Sequence, residues 1–362
     1  MSGATQPDPP TGRSVGFVVA PRIADLIEAH HQRWGNSSTI VGTFGPIDAD
    51  GIASWYERVC VTALRSPPIR GLFFGASAGC VAGIELADGR EVVIKAYQPR
   101  WRLDALQAAS GAQQRLSDAG FACPVPVLPP LQFEDVAASI DFYLSDPGMR
   151  LLDMDEMADS AGSLAQATSI LRDEDARPWV STHAMDRPSG SLYPIPHNPI
   201  FDFSLKAEEA AWIDELATAA LDAQDQDDSP PQILHGDWSA RNIRIVDHRL
   251  VASYDWDSLG AFRESKGVGI AAATWRSNGE PDDPPAPDSD EISRYLKAYI
   301  EVAGGSRGRK WRTAAMGSAL YTLAYTARCE HSLEGQDPRY QARRARRTLA
   351  ADRDRFIKSL HE

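Results

Sequence analysis

The chain has 362 residues, a formal net charge of −13 at pH 7 and a hydrophobic content of 43%. This length is sufficient for two packed lobes with a large core, and the hydrophobic content argues against a disordered protein. The negative charge argues against a nucleic-acid partner, because such partners are bound largely through Lys and Arg. No apolar run approaches the ~20 residues of a membrane span, and the polar, proline-rich residues 1–11 lack a signal-peptide pattern.

The four cysteines are scattered along the chain, at Cys60, Cys80, Cys123 and Cys329. None of them lies in a C-x-x-C pair, and no histidine lies near them at the spacing of a zinc site. We therefore expect reduced, buried thiols, as in a cytoplasmic protein.

The first part of the chain, residues 1–69, predicts a flexible tail followed by a helical extension. Apolar residues recur at helical spacing in residues 21–33 and 50–64. Residues 42–46 contain glycine and proline and predict a break between the two helices. The sequence does not indicate a function for this part, and we expect it to pack beside the lobe that follows.

Three β-prone segments come next, and the loop between the first two is made of small residues. The predicted strands are residues 70–74, 80–86 and 91–97, with a hairpin signal before the third. Gly75, Ser77 and Gly79 lie in the small-residue loop, where backbone N–H groups could approach phosphates and the Ser77 hydroxyl could add a hydrogen bond. An ordinary tight turn is the alternative interpretation.

Lys95 lies near the end of the third predicted strand, within the run Val-Val-Ile-Lys. A lysine at this position could bind phosphates, although a solvated edge residue is the alternative, since lysines avoid full burial. Residues 102–119 then predict a helix that ends at Gly120 and carries Gln113 among its polar residues.

The remainder of the chain is predicted to be mainly helical. We place the boundary between a first lobe, residues 70–147, and a second lobe, residues 148–362, at a Pro-Gly turn signal. Residues 172–203 lack periodicity, and long irregular segments often carry function. The acidic residues 222–228 predict a solvated loop. Helical periodicity predicts helices at residues 154–171, 205–221, 266–275, 291–303, 311–328 and 338–360.

The most informative stretch is Leu-His-Gly-Asp-Trp-Ser-Ala-Arg-Asn at residues 234–242, with Tyr-Asp-Trp-Asp following at residues 254–257. Two β-prone segments between them predict a short hairpin. That hairpin brings Asn242 and Asp255 to the same end and leaves Asp237 on the loop before it. Asn and Asp oxygens suit Mg²⁺, and a third carboxylate can orient a hydroxyl and accept its proton during phosphoryl transfer. An ordinary acidic loop before a hairpin is the alternative.

These residues resemble those of a known family. Asp237, Asn242 and Asp255 follow the order of the catalytic and metal-binding residues of protein kinases. The opening His-Gly-Asp is similar to that of the aminoglycoside phosphotransferase and choline kinase branch of the protein-kinase-like superfamily. The run Asp-Trp-Asp that begins at Asp255 resembles the magnesium-binding motif of the same branch.

The resemblance implies an α+β, two-lobed protein-kinase-like fold. A small antiparallel β N-lobe would bind the nucleotide, ATP or GTP, against a large, mainly α-helical C-lobe. Asp237 would be the catalytic base, and Asn242 and Asp255 would hold Mg²⁺. The residues implied to bind the phosphates of the nucleotide are Lys95, Gly75, Ser77 and Gly79.

The sequence also departs from the family. The helix of residues 102–119 lacks the glutamate that pairs with the lysine in kinases, and we expect Gln113 in its place, with a hydrogen bond but no charge. Arg241 stands where the family often has a small residue, and it would neutralise phosphate charge or pair with a surface carboxylate. Supporting roles are implied for Asp257, near the metal, and for His235, in the packing of the loop.

The predicted reaction is transfer of a γ-phosphoryl group to a hydroxyl of a small-molecule acceptor. Three classes compete: an antibiotic O-phosphotransferase, a metabolic kinase of a sugar, amino sugar or choline-like alcohol, and a non-catalytic nucleotide-binding module. An acidic acceptor loop would favour an aminoglycoside-like antibiotic. Aromatic walls such as Trp179 and Tyr193 would favour an uncharged or nucleoside-like acceptor.

Overall fold

The structure is a computed structural model, and it describes residues 21–35, 38–148, 151–174, 187–196, 200–278, 283–305, 307–333 and 344–361. The chain divides into two compact units, Met1–Lys95 and Ala96–Glu362. This division falls earlier than the lobe boundary expected from the sequence, and the predicted domain limits remain predictions. The expected tail, residues 1–14, lies outside the described residues.

The first unit contains three helices and an antiparallel hairpin. Its elements are α1 (Ile23–Trp34), α2 (Ser38–Phe44), α3 (Ala49–Ala63), β1 (Pro68–Ala76), β2 (Gly79–Leu86) and the greater part of β3 (Glu91–Tyr97). Helices α1 and α3 and all three strands confirm the sequence predictions to within a few residues. The helices pack on the hairpin, with α1 and α3 against β1 and α2 against β2.

Helix α2 corrects the predicted break at residues 42–46. The helix forms because Ile40 and Thr43 are buried, and tertiary packing of one face can stabilise a helix too short to form alone. The break begins only at Gly45, which has a φ of +75°. Its N–H donates to the Val41 carbonyl at 2.9 Å and ends the helix.

The second unit is mainly helical. Its elements are α4 (Leu103–Asp118), β4 (Pro126–Phe133), β5 (Val136–Phe142), α5 (Met157–Ile170), α6 (Ala211–Gln224), β6 (Gln232–His235), β7 (Ile243–Val246), β8 (Arg249–Ser253), β9 (Leu259–Phe262), α7 (Glu264–Thr274), α8 (Ser289–Ala303), α9 (Arg309–Ser332) and α10 (Arg344–Ser359). Strand β3 extends two residues beyond the point of division, and β4 pairs antiparallel with β5 within the second unit. A small antiparallel sheet with many helices is the α+β composition that the sequence predicts.

One expectation for the second unit is wrong in detail, and one pair of strands was not predicted. The acidic residues 222–228 are not wholly a solvated loop, because α6 continues to Gln224. Asp227 is buried and accepts hydrogen bonds from the Ser265 hydroxyl at 2.5 Å and from the Ser229 N–H at 3.0 Å. The short pair of strands β6 and β9 was not expected from the sequence, although it positions both segments of the candidate site.

Helix α9 is the centre of the helical core. It packs against α6, α7, α8 and α10, and nearly all of its residues from Trp311 to Ser332 are buried. Two glycines allow the closest approaches to it. A Cβ on Gly269, in α7, would lie 2.2 Å from the Ala315 carbonyl oxygen, and a Cβ on Gly317, in α9, would lie 2.6 Å from the Ala220 carbonyl oxygen.

All four cysteines are free and buried, as the sequence predicts. Burial raises the pKa of Cys60 to about 12 and that of Cys80 to about 11, since the thiolate would lose its hydration. Within the described ranges, no helix is long and apolar enough to cross a membrane.

Substitution of Gly269 tests the close packing of α7 on α9. Gly269→Ala should lower the free energy of unfolding by about 1–3 kcal/mol, because the added methyl group must displace the backbone of the neighbouring helix. The matched control is Gly111→Ala in α4, where a Cβ meets nothing within 4 Å. That control should raise stability by about 0.5–1 kcal/mol through helix propensity alone. Urea unfolding followed by circular dichroism measures both; a Gly269→Ala protein as stable as the wild type would contradict the packing.

Candidate active site

Two short antiparallel strand pairs hold the candidate site. Strand β6 pairs with β9, so that His235 lies opposite Leu259. Strand β7 pairs with β8, so that Ile243 lies opposite Ser253, and Val246 opposite Arg249. The hairpin predicted from the sequence is therefore present. Residues 235–242, which connect β6 to β7, are called the Asp237 loop below.

The β7–β8 hairpin closes with a two-residue turn. Asp247 and His248 both have positive φ, at +48° and +59°. Positive φ at both central residues is the geometry of a type I′ turn, which matches the twist of the flanking strands. This turn lies at the end of the hairpin opposite to Asn242.

The side chains of Asp237 and Asn242 are joined directly. The Asn242 amide Nδ2 donates to the Asp237 carbonyl at 2.8 Å and to the Asp237 carboxylate Oδ2 at 2.9 Å. The Ser239 hydroxyl lies 3.4 Å from the other carboxylate oxygen. Because Nδ2 is directed at Asp237, the amide oxygen Oδ1 of Asn242 points away from it and is the atom that can bind a cation. Asn242 is buried, whereas Asp237 is half-buried.

Asp255 comes two residues after the end of β8, and Tyr254 between them is hydrogen-bonded to Asn242. The Tyr254 N–H donates to the Asn242 carbonyl at 2.8 Å, which extends the β7–β8 pairing by one step. Asp255 then adopts a left-handed conformation, with φ +63° and ψ +41°. This conformation is costly for most L-residues but tolerated by Asp, and such strain is common at functional sites. The backbone thus brings Asn242 and Asp255 to the same end of the hairpin.

His235 fixes the start of the Asp237 loop. The Asp237 N–H donates to the His235 ring nitrogen Nδ1 at 3.1 Å, and Nε2 lies 3.0 Å from the Tyr254 carbonyl. Since Nδ1 accepts, the proton is assigned to Nε2, which donates to that carbonyl. The ring packs edge-on against Trp238 and Trp256, with centroid distances of 5.4 Å and 5.0 Å. His235 therefore links the loop to the segment that carries Asp255.

The two tryptophans were not identified as site residues in the sequence. Trp238 and Trp256 are buried and contact each other and Phe121. The Trp238 indole N–H also donates to the Ser160 carbonyl at 3.0 Å, at the start of α5. The sequence does contain a pattern that could have identified them, because a tryptophan directly follows both Asp237 and Asp255.

Arg244 is a second positioning residue that the sequence reasoning missed. Its side chain is 7% exposed and lies on β7. Nη1 donates to the carbonyls of Ala240, Arg241 and Ile243 at 3.2, 3.0 and 2.9 Å. Nε and Nη2 bind both carboxylate oxygens of Asp146 at 2.7 and 2.9 Å.

The Asp146 carboxylate is held in its charged form. Burial opposes ionisation, but the hydrogen bonds from Arg244 and from the Gly148 N–H, together with the positive charge of Arg244, lower its pKa below the ordinary value of 3.8. A bidentate pair of this kind combines charge with fixed geometry. It ties the Asp237 loop to the segment before α5.

The other predicted residues of the second unit have the following positions. Gln113 is buried on α4, and its Nε2 donates to the Pro124 carbonyl at 2.8 Å and to Asp141 Oδ1 at 3.0 Å. Arg241 has an exposed side chain, and its N–H donates to the Ser277 carbonyl at 3.2 Å. Asp257 is half-buried in a 3₁₀ turn that follows Asp255.

The predicted phosphate-binding residues lie in the first unit. Gly75 and Gly79 belong to strands β1 and β2, and Ser77 and Ala78 form the tip between these strands. Ser77 is exposed, and Lys95 is half-buried on β3. A Cβ on Gly75 would meet nothing within 4 Å, so packing within the protein does not require glycine there.

Of the two aromatic residues considered as acceptor walls, Tyr193 gives no support for an uncharged acceptor. Tyr193 is 7% exposed and packs among Phe203, Tyr321 and Tyr325. Its hydroxyl donates to Asp214 at 2.8 Å, so Tyr193 belongs to the core. Trp179 lies outside the described residues.

The donor atoms at this end of the hairpin suit a hard divalent cation. Asn242 offers an amide oxygen and Asp255 a carboxylate, which are ligands that Mg²⁺ accepts when phosphates and water complete its octahedral shell. In the described part of the chain, no group of three or more His, Cys, Asp or Glu side chains is arranged to hold a metal ion. The residues thus fit a cation shared with a phosphate ligand better than a cation enclosed by the protein.

Removal of the Arg244 guanidinium tests its role in holding the Asp237 loop. Arg244→Met should lower the free energy of unfolding by about 2–4 kcal/mol, because it leaves a partly buried carboxylate and three carbonyls without their donor. The control is Arg353→Met, which removes an exposed ion pair with Glu215 and should change stability by only about 0–1 kcal/mol. Urea unfolding compares the two; equal small losses would contradict the proposed role of Arg244.

The chain was compared with known proteins. No protein-family model matches it, and no curated protein matches its sequence. Solved structures do match. An amicoumacin kinase in complex with AMP-PNP, Ca²⁺ and Ami has a TM-score of 0.56 at 12% identity and covers 85% of this chain and 96% of its own.

Two further solved structures represent related kinases. A choline/ethanolamine kinase family protein from Mesorhizobium loti has a TM-score of 0.50 at 13% identity, with 86% of this chain and 98% of that chain covered. An aminoglycoside phosphotransferase from Alicyclobacillus acidocaldarius has a TM-score of 0.50 at 11% identity, with 80% and 91% covered. At these identities the likeness concerns the fold alone. The chain therefore has the kinase-like α+β fold of the aminoglycoside phosphotransferases and choline kinase-like proteins, as its motifs predict.

Proposed function

We propose that the protein is a Mg²⁺-dependent small-molecule kinase, which transfers the γ-phosphoryl group of ATP or GTP to a hydroxyl of its acceptor. The observation that carries this proposal is the direct link between Asp237 and Asn242, with the Asn242 amide bound to both the carbonyl and the carboxylate of Asp237. A plain acidic loop needs no such arrangement. The left-handed Asp255 beside them completes a set of residues typical of phosphoryl transfer.

Asp237 is proposed as the catalytic base. Its carboxylate is half-buried and held by Asn242, so it can meet an acceptor hydroxyl with a fixed orientation. It would align that hydroxyl for attack on the γ-phosphorus and accept the hydroxyl proton as the new phosphate ester bond forms. The bond from the γ-phosphorus to the nucleotide diphosphate breaks in the same step. Because the reaction asks for little covalent chemistry from the protein, this positioning is the main contribution of Asp237.

Asn242 and Asp255 are proposed as the metal ligands. The Asn242 amide oxygen is directed away from Asp237, and the Asp255 carboxylate comes from the adjacent backbone. When bound, Mg²⁺ neutralises charge on the phosphates during transfer. Asp257 is proposed to support this pair from the following turn. Arg241, which is exposed at the surface of the loop, is proposed to face phosphate charge or a surface carboxylate.

The nucleotide-binding roles in the first unit are proposals that rest on the sequence motifs. Lys95 would bind the α- and β-phosphates, and the backbone from Gly75 to Gly79 would approach them with the Ser77 hydroxyl. The open space at Gly75 is consistent with a glycine kept for a ligand rather than for packing. The predicted partnership of Gln113 with Lys95 also remains a proposal, and Gln113 donates elsewhere, to Pro124 and Asp141.

An antibiotic, aminoglycoside-like or nucleoside-like, is proposed as the acceptor, and a sugar, amino sugar or choline-like alcohol is the second candidate. The net charge of −13 favours a cationic acceptor. The structures with the same fold include a kinase of amicoumacin and an aminoglycoside phosphotransferase. The second candidate is supported by the choline/ethanolamine kinase family protein.

Substitution of the two aspartates separates the proposed roles. Asp237→Ala should lower kcat by several orders of magnitude while nucleotide binding survives, because the base is lost but the metal ligands remain. Asp255→Ala should abolish magnesium-dependent nucleotide binding, measured by titration with a fluorescent ATP analogue. The matched control is Asp247→Asn, which removes an exposed charge at the opposite end of the same hairpin and should change neither. Full activity of the Asp237→Ala protein would show that Asp237 is not the catalytic base.

A substrate screen tests the reaction class. The purified protein should transfer the γ-phosphate of radiolabelled ATP or GTP to at least one member of a panel of aminoglycosides, nucleoside antibiotics, amino sugars and choline-like alcohols. Transfer to the antibiotics alone would support the first candidate, and transfer to the metabolites alone the second. Nucleotide binding without transfer or hydrolysis would instead identify a non-catalytic nucleotide-binding module.

A further inference from the structure

The helical extension of the first unit, α1 to α3, contacts the hairpin that carries the predicted phosphate-binding loop. The glycine loop, residues 75–79, closes the β1–β2 hairpin, with Ala76 opposite Cys80. On helix α2, the Thr39 hydroxyl donates to the Ser77 carbonyl at 2.6 Å. This contact joins two residues that are 38 positions apart in the sequence, so it is not a by-product of the local turn.

A second hydroxyl from the extension binds the backbone directly after the glycine loop, at Cys80 in β2. On helix α3, the Tyr56 hydroxyl donates to the Cys80 carbonyl at 2.8 Å. Tyr56 is fully buried, so this hydrogen bond is shielded from water. Two helices therefore each contribute one hydroxyl, and the two hydroxyls bind carbonyls that flank Ala78 and Gly79.

Aromatic packing supports the two hydrogen bonds. The Tyr56 ring lies edge-on to Phe74 of β1 at 6.3 Å and to Phe44 of α2 at 6.0 Å. His30 of α1 contacts Phe74 at 5.4 Å. Phe74, close to the tip of the hairpin, thus packs on side chains from α1 and α3, and Phe44 of α2 packs on Tyr56 in turn.

The two hydroxyls bind carbonyl groups of the backbone, whereas a phosphate would bind its N–H groups. Ser77 and Ala78 have small side chains that cannot anchor the tip by packing, and within the loop the Ser77 N–H donates to the Gly79 carbonyl at 3.0 Å. Thr39 and Tyr56 engage carbonyl oxygens only. They therefore restrict the loop without using backbone N–H groups, which are the groups a phosphate would bind.

We propose that Thr39 and Tyr56 are positioning residues for the nucleotide: they hold the glycine loop in its phosphate-binding conformation before the nucleotide arrives. The inference rests on the proposed function and deepens it, since it assigns a role to the helical extension. A loop ordered in advance loses less conformational entropy on binding, so the gain appears as nucleotide affinity. Phosphoryl transfer itself, which depends on Asp237, is affected less.

Substitution of Thr39 tests the inference. Thr39→Val keeps the shape of the side chain and removes the hydroxyl, and it should weaken the binding of Mg·ATP and Mg·GTP by ~3–10-fold, as expected for the loss of one net hydrogen bond. The KM for nucleotide should rise by the same factor, while kcat changes by less than ~2-fold. Thr39→Ser retains the hydroxyl and should restore both values.

Two further variants separate positioning from stability. Tyr56→Phe removes only the second hydroxyl and should weaken nucleotide binding in the same direction, with its thermal unfolding recorded in parallel. The matched control is Thr348→Val. Thr348 also donates its hydroxyl to a distant carbonyl, that of Ala286 at 2.9 Å, but far along the chain in α10. That variant should leave nucleotide affinity unchanged.

The outcomes distinguish the inference from the function on which it rests. If the wild-type protein binds nucleotide and Thr39→Val and Tyr56→Phe bind it equally well, the positioning role is wrong and the proposed function stands. A Thr39→Ser protein that fails to regain affinity would also overturn the role, since the hydroxyl would not be the cause. Absence of nucleotide binding in the folded wild-type protein would overturn the proposed function and the inference together.

Discussion

The backbone of the Asp237 loop depends on hydrogen bonds from one buried side chain, the guanidinium of Arg244. Between β6 and β7 the chain leaves regular pairing, and its buried carbonyls have to find other donors. Arg244 provides them for Ala240, Arg241 and Ile243 while it binds the Asp146 carboxylate with its other nitrogens. Together with the Asn242 amide, which donates to the Asp237 carbonyl, this guanidinium provides donors for the backbone carbonyls of the loop.

An aromatic layer completes this support. In each of two segments an aspartate is followed directly by a tryptophan, and the tryptophan is buried whereas the aspartate is half-buried. Trp238 and Trp256 turn inward and enclose His235. His235 then joins the two segments through its ring nitrogens. The polar side chains that are proposed to meet substrate and metal are consequently backed by a layer of buried aromatic rings.

The sequence predicted the elements with strong local patterns and missed those set by distant contacts. The long amphipathic helices and the β7–β8 hairpin were visible because their periodicity is local. Helix α2 was missed because its stability comes from burial of Ile40 rather than from propensity. Strands β6 and β9 pair across more than 20 residues of intervening chain, whereas β7 and β8 are joined by a short turn that is visible in the sequence.

The residues of the candidate site also fall into two groups: those with a local sequence motif and those whose contacts are distant in the sequence. Asp237, Asn242 and Asp255 were proposed from the sequence because their order and spacing form a motif, and the backbone brings Asn242 and Asp255 to one end of the hairpin. Arg244 could not be assigned, because its partner Asp146 is 98 positions away and the pairing has no local signature. The contact of Thr39 with Ser77 was equally hidden, since a threonine in a short helix carries no signal of the loop it touches.

The buried state of Cys80 has a practical consequence. Its carbonyl receives the Tyr56 hydroxyl, and its thiol is fully buried with a pKa of about 11. Alkylation requires an accessible thiolate, so a maleimide can modify Cys80 only after the hairpin has separated from the helices behind it. The rate at which Cys80 is labelled therefore reports how often the hairpin opens locally. If added nucleotide slows this labelling, the nucleotide binds the glycine loop, and no measurement of turnover is needed to show it.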